Sequence, residues 1–112
     1  MAKLKATTYQ GLVSEVFKGY DVPNFERKKI GHNTTAEYIP NGMFGRDIVI
    51  RLHGHQIVRL GRNAVHFTLA GYNTVTTRER VNQFIPGRVY TKNFVPHLDG
   101  EEIDSELWYL LD

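Results

Sequence analysis

The chain has 112 residues, 41% of them hydrophobic and 12% aromatic, and contains no cysteine. That length supports a single domain with one modest core, and the composition excludes wholesale disorder, disulfides, thiolate metal sites and a thiol nucleophile. The formal net charge of +2 conceals a split: residues 1–95 carry all 14 Lys and Arg against six acids, whereas residues 96–112 carry six acids and no Lys or Arg. Opposed fields of this kind suit a polyanion site in the basic body, with a tail that covers it or binds a basic partner; the structural alternative is a tail packed on its own body or solvated. No apolar run approaches the ~20 residues that span a bilayer, and the opening "MAKLKATTY" lacks the apolar core of a signal peptide, so the sequence reads as soluble and cytoplasmic.

In chain order, "TYQGLVSEVFK" puts Tyr9, Leu12, Val13, Val16 and Phe17 on one helical stripe, with Thr7 or Thr8 as N-cap and Gly19 past the end. "YDVPNFERKKIGHN" reads as an irregular connection, since Pro23 and Gly31 discourage regular structure. From Thr34 the period becomes two: "TAEYIP", "DIVIRLH", "HQIVRL" and "AVHFTLA" are strands, separated by "PNGMFG", "HGH" and "LGRN". "GYNTVTTRERVNQF" predicts a helix with Thr76 as N-cap, Glu79 completing a capping box, Val81, Phe84 and Ile85 as its apolar stripe, and Pro86-Gly87 as its stop. "RVYTKNFV" alternates as one strand, "PHLDGEEIDSE" is a polar loop, and "LWYLLD" a final strand or short helix. The fold class is α+β: one domain over 1–112 (basic body 1–95, acidic segment 96–112), with a strongly bent antiparallel meander of about four to six strands and one or two short helices packed on it.

Five histidines invite a metal or catalytic reading. His53 and His55 at i, i+2, with His66 on a neighbouring strand or Asp47 as a third ligand, are chemically suited to a divalent ion, but solvent-facing strand histidines are the plainer account. The triplets "HNT" (His32 to Thr34) and "HFT" (His66 to Thr68) echo the two-histidine phosphoesterases, although only 34 positions separate them and His32 lies in a loop. The better-supported feature is basic. Arg51, Arg59, Arg78, Arg80, Arg88 and Lys92 fall on or beside the sheet and second helix, interleaved with His53, Tyr72 and Tyr90, and Asn82 lies on the exposed side of that helix. Arginine forks and aromatic platforms suit a nucleic acid, and the helix start offers free N–H groups to an anion. The same residue types anchor protein interfaces.

The runs "KKIGHNTTAEYI", "IVIRLHGHQIVRL", "VHFTLAGYNTVTTRERVNQFIP" and "LWYLL" resemble a group of small, mostly uncharacterised bacteriophage proteins. The likeness spans about Lys28 to Pro86 and is most specific in Arg51-Leu52-His53 and Thr74 to Asn82. This chain has His32, Tyr72 and His55 where that group usually has Asn, Trp and Thr, and its acidic segment is unusual. The resemblance implies an accessory protein in the cytoplasm of the infected bacterial host and transfers no activity. The expectation is a non-enzymatic protein without cofactor that binds nucleic acid or a host nucleoprotein. The alternatives are an inhibitor of a host defence or replication protein, and a small phosphoesterase or metal hydrolase using His53, His55 or His66. No membrane partner is expected; self-association through opposed charges and open sheet edges is.

Overall fold

The computed structural model describes residues 4–43 and 45–111, so part of the "PNGMFG" separator and the last acid, Asp112, lie outside the described residues. A short helix α1 (Tyr9–Leu12) runs into a π-helical turn (Val13–Phe17), followed by strands β1 (Arg27–Gly31), β2 (Thr34–Asn41), β3 (Gly45–Leu52), β4 (His55–Leu60) and β5 (Val65–Phe67). Helix α2 (Val75–Asn82) precedes β6 (Val89–Lys92), β7 (Val95–Leu98), β8 (Glu101–Glu102) and β9 (Tyr109–Leu111). One antiparallel sheet has the order β1-β2-β3-β4-β5-β9, and a smaller one the order β6-β7-β8.

Period-two patterning decides which face of the large sheet is dry. Ala36, Ile50 and Val58 stand in register across β2, β3 and β4, as do Tyr38, Ile48 and Leu60. All six are buried, against Leu12, Val13 and Phe17 of the first helical segment and Val81, Phe84 and Ile85 around α2. Tyr38 stacks on Phe17 with centroids 4.1 Å apart and donates its hydroxyl to Gly19 O at 2.8 Å. The other face carries paired charges. Glu37 is 3% exposed and receives Arg51 Nε at 2.6 Å and Arg27 Nε at 3.6 Å, while Asp47 receives Arg59 Nε at 2.7 Å and the Asn41 amide at 3.1 Å.

The α+β class, the β2–β5 meander and the "HG" turn match the sequence reading. Three local expectations do not. The connection around "ERKKIG" holds β1, an edge strand whose single buried residue is Ile30, so its pairing rests on backbone bonds rather than an apolar period. "RVYTKNFV" is two strands joined by a two-residue turn at Asn93-Phe94, and "PHLDGEEIDSE" contributes β7 and β8. Helix α2 begins two residues early: Thr74 is the N-cap, its Oγ1 accepting from Thr77 N at 3.2 Å, because the extended backbone at Thr74 (φ −114°, ψ 159°) is the geometry a cap needs.

The Asn82 side chain hydrogen-bonds α2 to the small sheet. Asn82 donates Nδ2 to Val89 O at 2.8 Å and accepts from Val89 N at 2.7 Å through Oδ1. The return to β9 is held at Gly71, whose N–H donates to Ser105 O at 2.9 Å.

Candidate functional site

At one end of the large sheet, the β3–β4 turn, the start of β4, the segment Leu69 to Thr74 and the first turn of α2 enclose an open cleft of about 450 Å³. Leu52, Ile57, Leu69 and Ala70 give it an apolar floor; His53, His55, Tyr72, Thr74 and Thr76 form a polar rim. The shape follows from three local devices. The register shift between Ile50 and Arg51 against β4 leaves Ile57 as an extra, bulged residue, and a bulge re-aims the side chains next to it. Its carbonyl is not orphaned, for Thr68 N donates to it at 2.8 Å. Ala70 and Gly71 both take positive φ (54° and 82°), closing a tight turn that Tyr72 N seals by donating to Leu69 O at 2.8 Å. Only glycine takes that second position without steric cost.

The turn sets Tyr72 half-exposed at the rim, its ring 4.9 Å from that of His55. Beside it stands a residue the sequence reading assigned to a strand. Phe94 is 97% exposed at the tip of the β6–β7 hairpin, with φ +67°. Asn73 Nδ2 donates to Phe94 O at 3.3 Å, tying the hairpin tip to the segment that forms the cleft wall. Two-residue hairpin turns ordinarily carry Gly where this one has a bulky aromatic. Exposed Val75 adjoins the same segment. No glycine marks this turn in the sequence.

The nine residues anticipated as a basic binding face are distributed otherwise. Arg51 is paired with Glu37 and also donates to Gly54 O at 3.0 Å; Arg59 is paired with Asp47; Asn82 is the clamp on Val89. Arg80 is 2% exposed within the core. Arg78 donates to Asn73 Oδ1 at 2.5 Å, and the Arg88 backbone N–H donates to Asp99 Oδ1 at 3.0 Å. Lys92 is exposed on the hairpin, so of the nine only His53 and Tyr72 line the cleft.

The histidines do not assemble. His66 lines a different depression, with Asn41, Asp47, Gln56, Arg59 and Trp108, on the charged face of the sheet. Among the described residues no group of three or more His, Asp or Glu could hold a metal ion. The His-x-Thr triplets are also tied into the backbone: Thr34 Oγ1 donates to His32 O at 2.8 Å, and Thr68 Oγ1 accepts from Ala70 N at 3.1 Å. Both threonines are buried.

An apolar floor with a few convergent polar groups is the ordinary form of a recognition pocket. The rim supplies two imidazoles, a phenol and threonine hydroxyls, and no lining residue is a Lys, Arg, Asp or Glu. No helix among the described residues is long and apolar enough to cross a membrane. The family described as Kyanoviridae Gp96 protein matches residues 21–110, a span that begins after α1 and takes in the cleft and both sheets. No curated protein and no solved structure matches the chain.

Proposed function

The chain belongs to the Kyanoviridae Gp96 family of phage proteins, and from that premise we propose that it is a phage accessory protein that recognises a protein partner through the cleft and the Phe94 hairpin tip. The observation that carries this reading is Phe94: a fully solvated aromatic held in a left-handed backbone conformation beside an apolar-floored cleft. Backbone strain at a bulky residue is retained where the exposed side chain has work to do. Tyr72 and Val75, on either side of the Asn73 that holds the Phe94 carbonyl, are exposed as well, and tyrosine and phenylalanine are typical anchors of protein interfaces.

This reading takes the inhibitor or interaction-module alternative over nucleic-acid binding, because Arg51, Arg59 and Arg80 are spent on internal contacts or buried. The test is capture from infected-host lysate with wild type, a Tyr72→Ala/Phe94→Ala variant and a Lys92→Ala variant, with and without nuclease. A protein retained by wild type and Lys92→Ala, lost from the double variant and indifferent to nuclease supports the proposal. Recovery that is abolished by nuclease, or that strengthens steeply as salt falls, assigns the surface to nucleic acid and overturns it. Equal recovery with the double variant overturns it as well.

A further inference from the structure

The face of the large sheet opposite the apolar core holds a second depression, of about 460 Å³. That size falls within the ~300–1,000 Å³ usual for small-molecule sites. Five of its lining residues carry planar polar heads, namely Asn41, Asp47, Gln56, Arg59 and His66, and the sixth is Trp108. Strand register explains why they meet. Val49, Arg59, His66 and Leu110 stand opposite one another across β3, β4, β5 and β9. Asp47, two residues before Val49, and Trp108, two before Leu110, fall on the same face by alternation.

Asp47 is buried and fixes the centre. Its Oδ2 accepts from Arg59 Nε at 2.7 Å, and Asn41 Nδ2 donates to Oδ1 at 3.1 Å and to Oδ2 at 3.2 Å. The forked end of the Arg59 guanidinium, Nη1 and Nη2, takes no part in these bonds, nor does the Asn41 amide oxygen. Exposed Gln56 supplies a donor and an acceptor, and His66 is half-buried beside them. Trp108 is 44% exposed and is the chain's only tryptophan.

Charge narrows the ligand. Asp47 and Arg59 neutralise each other, so an anion seated here meets a carboxylate and a cation meets a guanidinium. An uncharged ligand rich in hydroxyls meets neither penalty, because each hydroxyl both donates and accepts. Adjacent ring hydroxyls match the two-atom heads of carboxylate, amide and guanidinium groups, and the C–H face of a pyranose ring is flat and apolar, as an indole plane requires. A nucleobase fits less well. It is polar only along its edges and seeks stacking partners for its faces, whereas this depression sets one aromatic ring and an imidazole among four other polar heads.

We infer that this depression binds a pyranose ring of an uncharged carbohydrate, with Trp108 against its C–H face and Asn41, Asp47, Gln56 and Arg59 bonded to its hydroxyls. The site shares no lining residue with the cleft, so it stands independently of the docking reading. An adjoining depression of about 540 Å³ shares Asn41, Asp47 and His66 and adds Arg46, Arg62 and Asn63, which gives a second sugar unit room beside the first. Arg46 there is already committed to Tyr20 O and Val22 O.

The test titrates the 15N-labelled full chain with the methyl glycosides of glucose, galactose and mannose, and with maltose, cellobiose and lactose. Sorbitol, guanosine and glucose phosphate are the controls. Indole fluorescence reports Trp108 alone, and NMR follows the amides of Gln56, Arg59 and His66. The expected result is a saturable change in both signals with at least one glycoside, at a Kd on the order of millimolar for so small a ligand. Trp108→Ala, at an exposed position, should weaken binding followed by NMR roughly tenfold, and Gln56→Ala by a few-fold. A disaccharide that binds more tightly than its monosaccharide and also shifts Asn63 assigns the ligand to a glycan chain, and equal affinities assign it to a free sugar; both support the proposal. Sorbitol binding as well as the glycosides, or tighter binding of guanosine or glucose phosphate, overturns it. So does an affinity unchanged in Trp108→Ala, a response confined to the cleft amides of His53 and Thr76, or no response to any glycoside.

Discussion

Tyr38 shows how one buried side chain ties stability to alkaline pH. Burial pushes its phenol from 10 up to about 12, the nearby Tyr20 and Tyr9 adding to the rise and Arg46, 4.7 Å over its ring, opposing it. The folded state thus holds a proton that the unfolded chain releases at a lower pH. The associated stability is fully present below 10 and is lost as pH rises from there to about 12. Unfolding free energies from denaturant titrations through that window should fall by on the order of 2–3 kcal/mol in wild type. Tyr38→Phe should flatten the fall while costing about 1 kcal/mol at neutral pH for the lost bond to Gly19 O. Tyr9, also raised chiefly by burial, titrates in the same direction and leaves a remnant of the slope. Phe94 carries the opposite kind of signature, a residue whose removal helps the fold. Phe94→Gly relieves a left-handed backbone and should raise stability by about 1 kcal/mol. The same variant should lose the captured partner. A stability loss in chemical denaturation would refute the strain argument.

At the scale of elements, the start of α2 offers a clean contrast. Thr74→Ala removes the cap on Thr77 N and should cost about 1 kcal/mol, whereas Thr76→Ala, on the exposed first turn, should lie within about 0.5 kcal/mol of wild type. Equal costs in thermal denaturation would return the cap to Thr76. The misplacement in the sequence reading has a physical origin, since both threonines precede the apolar stripe and only the backbone angles distinguish them. Strands β2 to β5 were legible because alternation of buried and paired side chains leaves a period of two. β1 was not, because an edge strand with one buried residue leaves no period. The hairpin at Phe94 was hidden because its turn lacks the glycine that usually marks one. Arg80 shows the limit for the site: helical position placed it near the apolar stripe of Val81 and Phe84, but its charge argued for solvent. Only the packing of the β1–β2 turn over α2 shows it buried. His53 and Tyr72 were both anticipated as binding residues, but their meeting in one cleft depends on a bulge and a positive-φ turn that no residue pattern announces.

For the whole molecule, the clamp at Asn82 predicts two levels of cooperativity. The large sheet has a continuous core, while the small sheet is fastened through Val89, Leu98 and Ile103 and the two Asn82 bonds. Asn82→Ala should therefore raise amide exchange in β6 to β8 well above that in β2 to β4, by about one to two orders of magnitude for two lost bonds. Uniform loss of protection across both sheets would show that the molecule opens as one unit.

The topology gives that small sheet a particular standing. β5 and β9 are neighbours in the large sheet, so everything between Phe67 and Tyr109 is an excursion that leaves the sheet and returns beside its point of departure. The excursion holds α2, the Phe94 tip and the acidic strand β8, that is, much of the surface on which the proposed docking rests. A lineage of such proteins can therefore lengthen, shorten or recharge the hairpin without disturbing the pairing of β5 with β9. Recognition is free to diverge while the sheet beneath it stays the same.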